Sequence, residues 1–395
     1  MNSKIISQNI SRRLPRSVFN PIKNLRPESV IRALDAFNEG RLATAVRMFD
    51  AILHRDDTIC CLNLKRKKAV SRLDIEIVPL ENSRKAKAHQ KALVKFYENL
   101  EVNSICEKNK IGGIRMLVSQ MMDSVAMKYA IHKIKFVNDS DNIKGIFTQY
   151  PLWLFENTSG KLKILERENQ LTEGTPLDNN KWLITCGDGL MEASSIAYVY
   201  KHLPLRDWLI YCERNGMPGI KAKTNAYPNT PQWECAKDAV SQFGAEFYAV
   251  LSEGTDIEAI DVSSKNQLPY QQIIERMDRM LCALWRGADL GTISGNNKVG
   301  ASMLWYESTL IEEDDALNIS ETLNKNIDTK VIKIVFGDDI PLAKFRLKLP
   351  DYEEKSYELD VIERLCKLGL KPNELELAKK FAFPIKTESL NDEQQ

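Results

Sequence analysis

The chain has 395 residues, enough for two or three packed units, and its 55 Lys and Arg against 54 Asp and Glu leave a formal charge of +1. No bulk field exists to draw in nucleic acid or an acidic membrane, so any DNA contact must be local. The 8 cysteines form no C-x-x-C pair and meet no histidine at zinc spacing, which points to reduced thiols in a soluble, cytosolic product. The absence of an apolar run of ~20 residues agrees.

Residues 1–26 carry Lys4, Arg12, Arg13, Arg16 and Lys23 without an acid, and are expected to be a flexible basic arm. Pro27 opens a helical pattern through Val30, Ile31, Leu34 and Phe37 that Gly40 ends. Leu42, Val46, Phe49 and Leu53 give a second helix. A third runs from about Asp57 to Leu73, with Lys65-Arg66-Lys67-Lys68 as a solvated face. DIEIVP, Asp74 to Pro79, alternates like a strand with Ile75 and Ile77 on one face. Helices are expected at 84–106 and 112–124, and then short strands between 126 and 185 in AMKYAIHKIKFV, YPLWLFE, KLKILER and KWLIT. The first half is therefore a mixed α+β domain.

A long helical pattern from Gly189 meets Pro204, which kinks it or starts a new helix, and stops at Asn215-Gly216. A compact insert follows: Thr230 and Pro231 open a helix to Phe243, and EFYAVLSE and DIEAIDVS read as strands. After Pro269 the residues Tyr270, Ile273, Ile274, Met277, Leu281, Leu284, Trp285 and Ala288 mark an amphipathic rod of roughly 35 Å. The glycine-rich GTISGNNKVGAS comes next, and then a long helix through Met303, Tyr306, Leu310, Leu317, Leu323 and Ile327. Two short amphipathic helices are expected after Tyr352, before a frayed end.

Chemistry is sparse. GTISGNNKVGAS is not a P-loop: Lys298 follows Asn297 rather than glycine, Val299 replaces Ser or Thr, and the preceding element is a helix. Glu312, Glu313, Asp314 and Asp315 are consecutive on a helix and point round a wide arc, which favours a solvated or subunit-facing surface over a metal site. Asp74 and Glu76 share a strand face and offer the one nuclease-like pair for Mg²⁺, with no lysine or further acid at a convincing spacing. The histidines at 54, 89, 132 and 202 are scattered, and no G-x-S-x-G elbow occurs. No catalytic residue, metal or cofactor is expected, and an enzyme is the weaker hypothesis.

Several phrases, in order, resemble the portal proteins of tailed bacteriophages, and among them the Mu-like family. They are HRDDTICCLNLKRKKAVSRLDIEIVP at 54–79, YPLWLFENTSGKLKIL at 150–165, GDGLMEASSIAYVYKHLPLRDWLIYCERNGMPGIKAK at 187–223, ALWRGADLGTISGNNKVGAS at 283–302 and LCKLGLKPNELELAKKFAFP at 365–384. The resemblance implies an α+β, helix-rich subunit of wing, stem, clip and crown. Usually twelve copies form a ring at one capsid vertex of the virion, made in the bacterial host cytoplasm, through which double-stranded DNA is packaged and ejected. It implies as partners the terminase large subunit, the major capsid or scaffold protein and a head-tail adaptor, and no membrane.

By the same resemblance 27–186 is the wing, 187–216 the first stem helix region, 217–267 the clip and 268–290 the second stem helix. Residues 291–300 are the tunnel loop, 301–349 the long helix and a return strand of the wing, 350–384 the crown and 385–395 a frayed tail. Gly291, Ser294, Gly295, Asn296, Asn297, Lys298 and Gly300 then face the channel. Flexible glycines and uncharged tips suit a loop that must release a moving polyanion, because each neutralised phosphate adds a salt-sensitive binding term. Lys221 and Lys223 are candidates for the clip's partner surface, although an exposed strand edge carries lysines in any case. Glu312, Glu313, Asp314 and Asp315 are candidates for the subunit interface. The alternatives are a Mg²⁺-dependent nuclease using Asp74 and Glu76, or a monomeric cytoplasmic scaffold.

Overall fold

The structure, a computed structural model, describes residues 22, 25–139, 142–166, 170, 172–216, 220–241, 255–259, 270–287, 298–349, 362 and 367. The chain divides into two compact units, Met1–Leu347 and Lys348–Gln395. The basic arm, apart from Ile22, Leu25 and Arg26, lies outside the described residues, as do EFYAVLSE and the expected crown except Ile362 and Lys367.

Three helices open the first unit: α1 Pro27–Asn38, α2 Ala43–Arg55 and α3 Asp57–Ser71. Proline sits at the start of α1, where its missing N–H costs nothing, and Ser29 Oγ accepts from the Arg26 N–H at 3.1 Å. Gly40 turns the chain out of α1 at φ +88°, where an added Cβ would come within 2.4 Å of the Asn157 carbonyl carbon. Asp56 caps α3, accepting from the Ile59 N–H at 2.8 Å. The apolar faces of α1 and α2 meet at Phe37 and Phe49, whose rings lie edge to face with centroids 5.5 Å apart.

Next come β1 Asp74–Pro79, α4 Arg84–Glu98, β2 Glu101–Ser104, α5 Ile114–Met121, α6 Asp123–Met127, β3 Tyr129–Asp139 and β4 Asn142–Tyr150. Short β5 Phe155–Glu156, β6 Lys163–Ile164 and β7 Thr175–Pro176 make a three-stranded sheet. With β8 Trp182–Cys186, the larger sheet has the order β2-β4-β3-β8, parallel between β2 and β4 and antiparallel elsewhere.

Parts of this half differ from the sequence reading, among them YPLWLFE, where Leu152–Leu154 form a 3-10 turn and only Phe155–Glu156 are strand. Residues 101–104 are a strand rather than the end of a helix, because Asn99 closes α4 with its amide on the Lys95 carbonyl and Val102 is buried opposite Phe147 of β4. Strand β4 was not anticipated at all. Its Gly145 looks like a loop signal, but is needed because a Cβ there would lie 2.7 Å from the Phe96 ring.

The second half begins with α7 Met191–Gly216, a 26-residue helix that continues through Pro204. Proline frees the carbonyl of Tyr200, which lies at an exposed position. Then follow β9 Ile220–Thr224, α8 Pro231–Ser241 and β10 Thr255–Ala259, with β9 and β10 antiparallel. The amphipathic rod is α9 Tyr270–Arg286. The last long helix, α10, runs Lys298–Leu323, passes through a π-helical segment Asn324–Asp328 and continues as α11 Thr329–Phe336, ended by Gly337 in the left-handed region. Finally β11 Ala343–Lys348 pairs with β1. Trp285, Leu281, Met191, Tyr198 and the faces of α1 to α3 belong to one apolar core.

Candidate functional site: a clamp on the paired long helices

Helices α7 and α9 run antiparallel, and two polar contacts show their register. Trp285 Nε1 donates to Ser194 Oγ at 2.9 Å, and Lys201 Nζ meets Asp278 Oδ1 at 2.8 Å. The contacts are about two helical turns apart on both helices. The insert β9-α8-β10 joins one end of this pair, and residues 287–297 lead from the other end into α10.

Helix α3 ties the pair down at both levels. Near its start, Lys201 Nζ lies 3.2 Å from Asp56 Oδ2 and 3.1 Å from Asp57 Oδ1, and Thr58 Oγ1 bonds Asp278 Oδ1 at 2.9 Å. The Lys201 side chain is 8% exposed. Burial alone would pull its pKa down, but the hydrogen bond to Asp278 and the charges of Asp56 and Asp278 outweigh it and hold the ammonium well above its usual value. A second hydrogen bond, from Lys201 to Asp57 itself, lowers Asp57, whose own side chain is largely in water and whose share is screened.

Two turns further along α3, Arg66 reaches Asp315 on α10 with Nε to Oδ2 at 2.7 Å and Nη2 to Oδ1 at 2.9 Å. Its Nη1 donates to the Trp285 carbonyl at 3.2 Å, so one guanidinium caps the C-terminal turn of α9 and holds α10 beside it. Burial raises Asp315, opposed by the Arg66 hydrogen bonds and charge.

The root of the glycine-rich segment has its own tie. Arg286 donates to Ser308 Oγ from Nε at 3.1 Å and from Nη2 at 2.7 Å, and Nη2 lies 3.4 Å from Glu312 Oε1. Burial raises the Glu312 carboxyl, and the Arg286 charge opposes it. Gly287 turns the chain at φ +75°, with Ile311 Cδ1 3.1 Å from where a Cβ would be.

Of the residues expected to face a channel, Gly291, Ser294, Gly295, Asn296 and Asn297 lie outside the described residues. Lys298 and Gly300 are in the first turn of α10, so the helix begins earlier than the loop boundary at 300. Lys221 and Lys223 occupy β9 at ladder positions opposite Glu258 and Asp256 of β10.

The four carboxylates at 312–315 do not act as one surface. Asp315 is buried on Arg66 and Glu312 is held by Arg286, because both lie on the side of α10 that packs inward; Asp314 is exposed and Glu313 half-buried. The basic run on α3 divides likewise: Lys65 and Lys68 are exposed, Arg66 is buried, and Lys67 pairs with Asp123. Asp74 and Glu76 stand exposed on β1, and among the described residues no group of three or more His, Cys, Asp or Glu is placed to hold a metal. Sequence reasoning missed Arg66, Arg286, Ser308 and the triad round Lys201. The polar exceptions inside apolar helix faces were their only signal.

The sequence profile described as the portal protein of Mu bacteriophage matches residues 46–383. This chain belongs to that portal family. The portal chain's fold is similar to a chain in the neck of an empty gene transfer agent particle computed with C6 symmetry, at 11% identity and TM-score 0.53, over 96% of this chain and 100% of the other. A chain of the virion of a native gene transfer agent particle matches at 10% identity and TM-score 0.51, over 97% and 99%. Another, in the neck of the native particle computed with C12 symmetry, matches at 10% and 0.50, over 92% and 96%. At such identities the likeness is one of fold. No curated protein matches the portal chain in sequence. The family and the α+β, helix-rich fold expected from the sequence both hold, and neither the nuclease nor the scaffold reading finds support.

Proposed function

We propose that copies of this portal chain close into a ring, twelve as in the particle neck with C12 symmetry, around a bore that passes double-stranded DNA at a capsid vertex of the virion. Residues 27–186 form the wing, α7 and α9 the stem, 217–267 the clip, 291–300 the tunnel loop and 350–384 the crown. The clip meets the terminase large subunit and then a head-tail adaptor, with Lys221 and Lys223 as contacts, and the rim meets capsid or scaffold protein. The chain supplies no catalysis, since packaging energy comes from the separate motor.

The observation that carries this reading is the clamp. One buried guanidinium, that of Arg66, fixes the end of α9 to the flank of α10, and Arg286 closes the root of the segment between them. The helices that flank a loop so rooted hold their position while a polyanion moves past it.

The test is deletion of Asn296 to Val299. Rings should still assemble, and DNA packaging or retention should fall. Loss of the ring itself would make the loop a structural element and contradict the assignment.

A further inference from the structure

Helices α3 and α10 of one chain face each other through Arg66 and Asp315, both almost fully buried. On α3, Cys61, Leu64, Lys65 and Lys68 lie roughly 100° to 160° round the helix from Arg66. On α10, Leu310, Glu313, Asp314, Leu317 and Glu321 lie roughly 100° to 160° round from Asp315. The two outer stripes therefore point away from each other, one basic and one acidic. Each also carries exposed apolar area: Leu64 is 45% exposed, Leu310 47% and Leu317 53%.

Lys65, Lys68, Glu313, Asp314 and Glu321 have no ion-pair partner among the described residues. An open groove of about 460 Å³ runs along the basic stripe, lined by His54, Arg55, Cys60, Leu64, Lys65 and Lys68. The acids at its edge, Asp56 and Asp57, are already held by Lys201. Away from the exposed Asp57 carboxylate, the groove presents Lys65 and Lys68 beside the exposed Leu64.

The geometry points to a head-to-tail contact in which the Leu310–Leu317 stripe of α10 seats on the α3 groove of a second copy of this chain, Glu313, Asp314 and Glu321 meeting Lys65 and Lys68. Identical subunits close into a ring only through two different, complementary faces, and these two are complementary in charge and opposed in direction. The pairing rests on the ring reading and names the faces that make the ring. It also gives the acidic run a divided role: its inward members, Asp315 and Glu312, stiffen the subunit, while its outward members join the neighbour.

Charge reversal tests it. Lys65→Glu with Lys68→Glu in one protein, and Glu313→Lys with Asp314→Lys and Glu321→Lys in another, should each raise the concentration for half-assembly about tenfold or more, because like charges then oppose across the contact. The protein carrying all five changes should assemble like wild type. Far-UV circular dichroism and the thermal midpoint of each variant establish that it is folded.

On unmodified protein, carbodiimide should join α3 lysines to α10 carboxylates between isotopically distinct copies. Rings unchanged in both single-stripe variants, or no α3–α10 cross-link between copies, would overturn the pairing and give these faces to another partner while leaving the ring reading intact. A wild-type protein that never forms rings would overturn both.

Discussion

Arg66 and Asp315 are 249 residues apart in sequence and form a two-point hydrogen-bonded pair with distances of 2.7 and 2.9 Å. Both are nearly out of water, and removing one partner strands the other's charge. Arg66→Ala should therefore destabilise the subunit by about 3–5 kcal/mol, whereas replacing both with apolar residues, as in Arg66→Met with Asp315→Leu, should recover most of the loss. Thermal unfolding of the single and double variants gives the answer. Equal loss in both would mean that packing, not charge, holds α3 to α10.

Lys201 sits among Asp56, Asp57 and Asp278. Lys201→Met keeps the stem of the side chain but leaves Asp56 and Asp278 without a cation. A loss of about 3 kcal/mol is expected, largely relieved by adding Asp278→Leu. A lysine that merely snorkels to solvent would give a small change in the single variant and no relief in the double.

Gly145→Ala puts a methyl 2.7 Å from the tip of the Phe96 ring, which is itself wedged against Tyr97 and Phe136. The cost should be about 1–3 kcal/mol, and Phe96→Leu should remove much of it by opening the space. Unfolding midpoints of the three proteins decide this.

Two buried groups titrate with opposite sign in one pH window. Burial pushes the Asp328 carboxyl up to about 6, although Tyr97 Oη and the Phe345 N–H both donate to it. The folded state thus holds that proton more tightly than the unfolded chain, and the group's favourable contribution is present at low pH and lost as pH rises from about 4 through 6. Burial pulls His132 down to about 4 from 6.5, so its contribution is present above 6.5 and lost as pH falls toward 4. Each is worth about 3 kcal/mol across the window. Relative to wild type, Asp328→Asn should become less stable as pH drops, and His132→Gln more stable. Differences that stay flat with pH would contradict both.

Arg286→Ala should release the root of the glycine-rich segment. Hydrogen exchange should quicken in the middle turns of α10, where Ser308 and Glu312 lose their donor, while α3 stays protected. Unchanged exchange in α10 would show that Arg286 is not what fixes that root.

Much of this molecule is legible in its sequence, for physical reasons that also mark where legibility stops. The helices at Pro27, Ala43 and Tyr270 carry apolar residues at helical spacing with proline, aspartate or glycine at their ends, so local preference and packing agree. Strands β2 and β4 escaped because parallel pairing with a remote strand, and a glycine required by Phe96, leave no local signature. The glycine-rich segment announces itself by composition. Its clamp does not, because Arg66 looks like one more cation in KRKK until Asp315 and the Trp285 carbonyl arrive from the other half of the chain.

The ring is the central claim, and the most direct measurement is the mass and shape of the purified protein, by light scattering with negative-stain microscopy. A closed ring with a central hole, and a mass about twelve times the 45.1 kDa of one chain, is predicted. A uniform 45.1 kDa particle at every concentration and salt, with capsid or scaffold protein present as well as absent, would contradict the account.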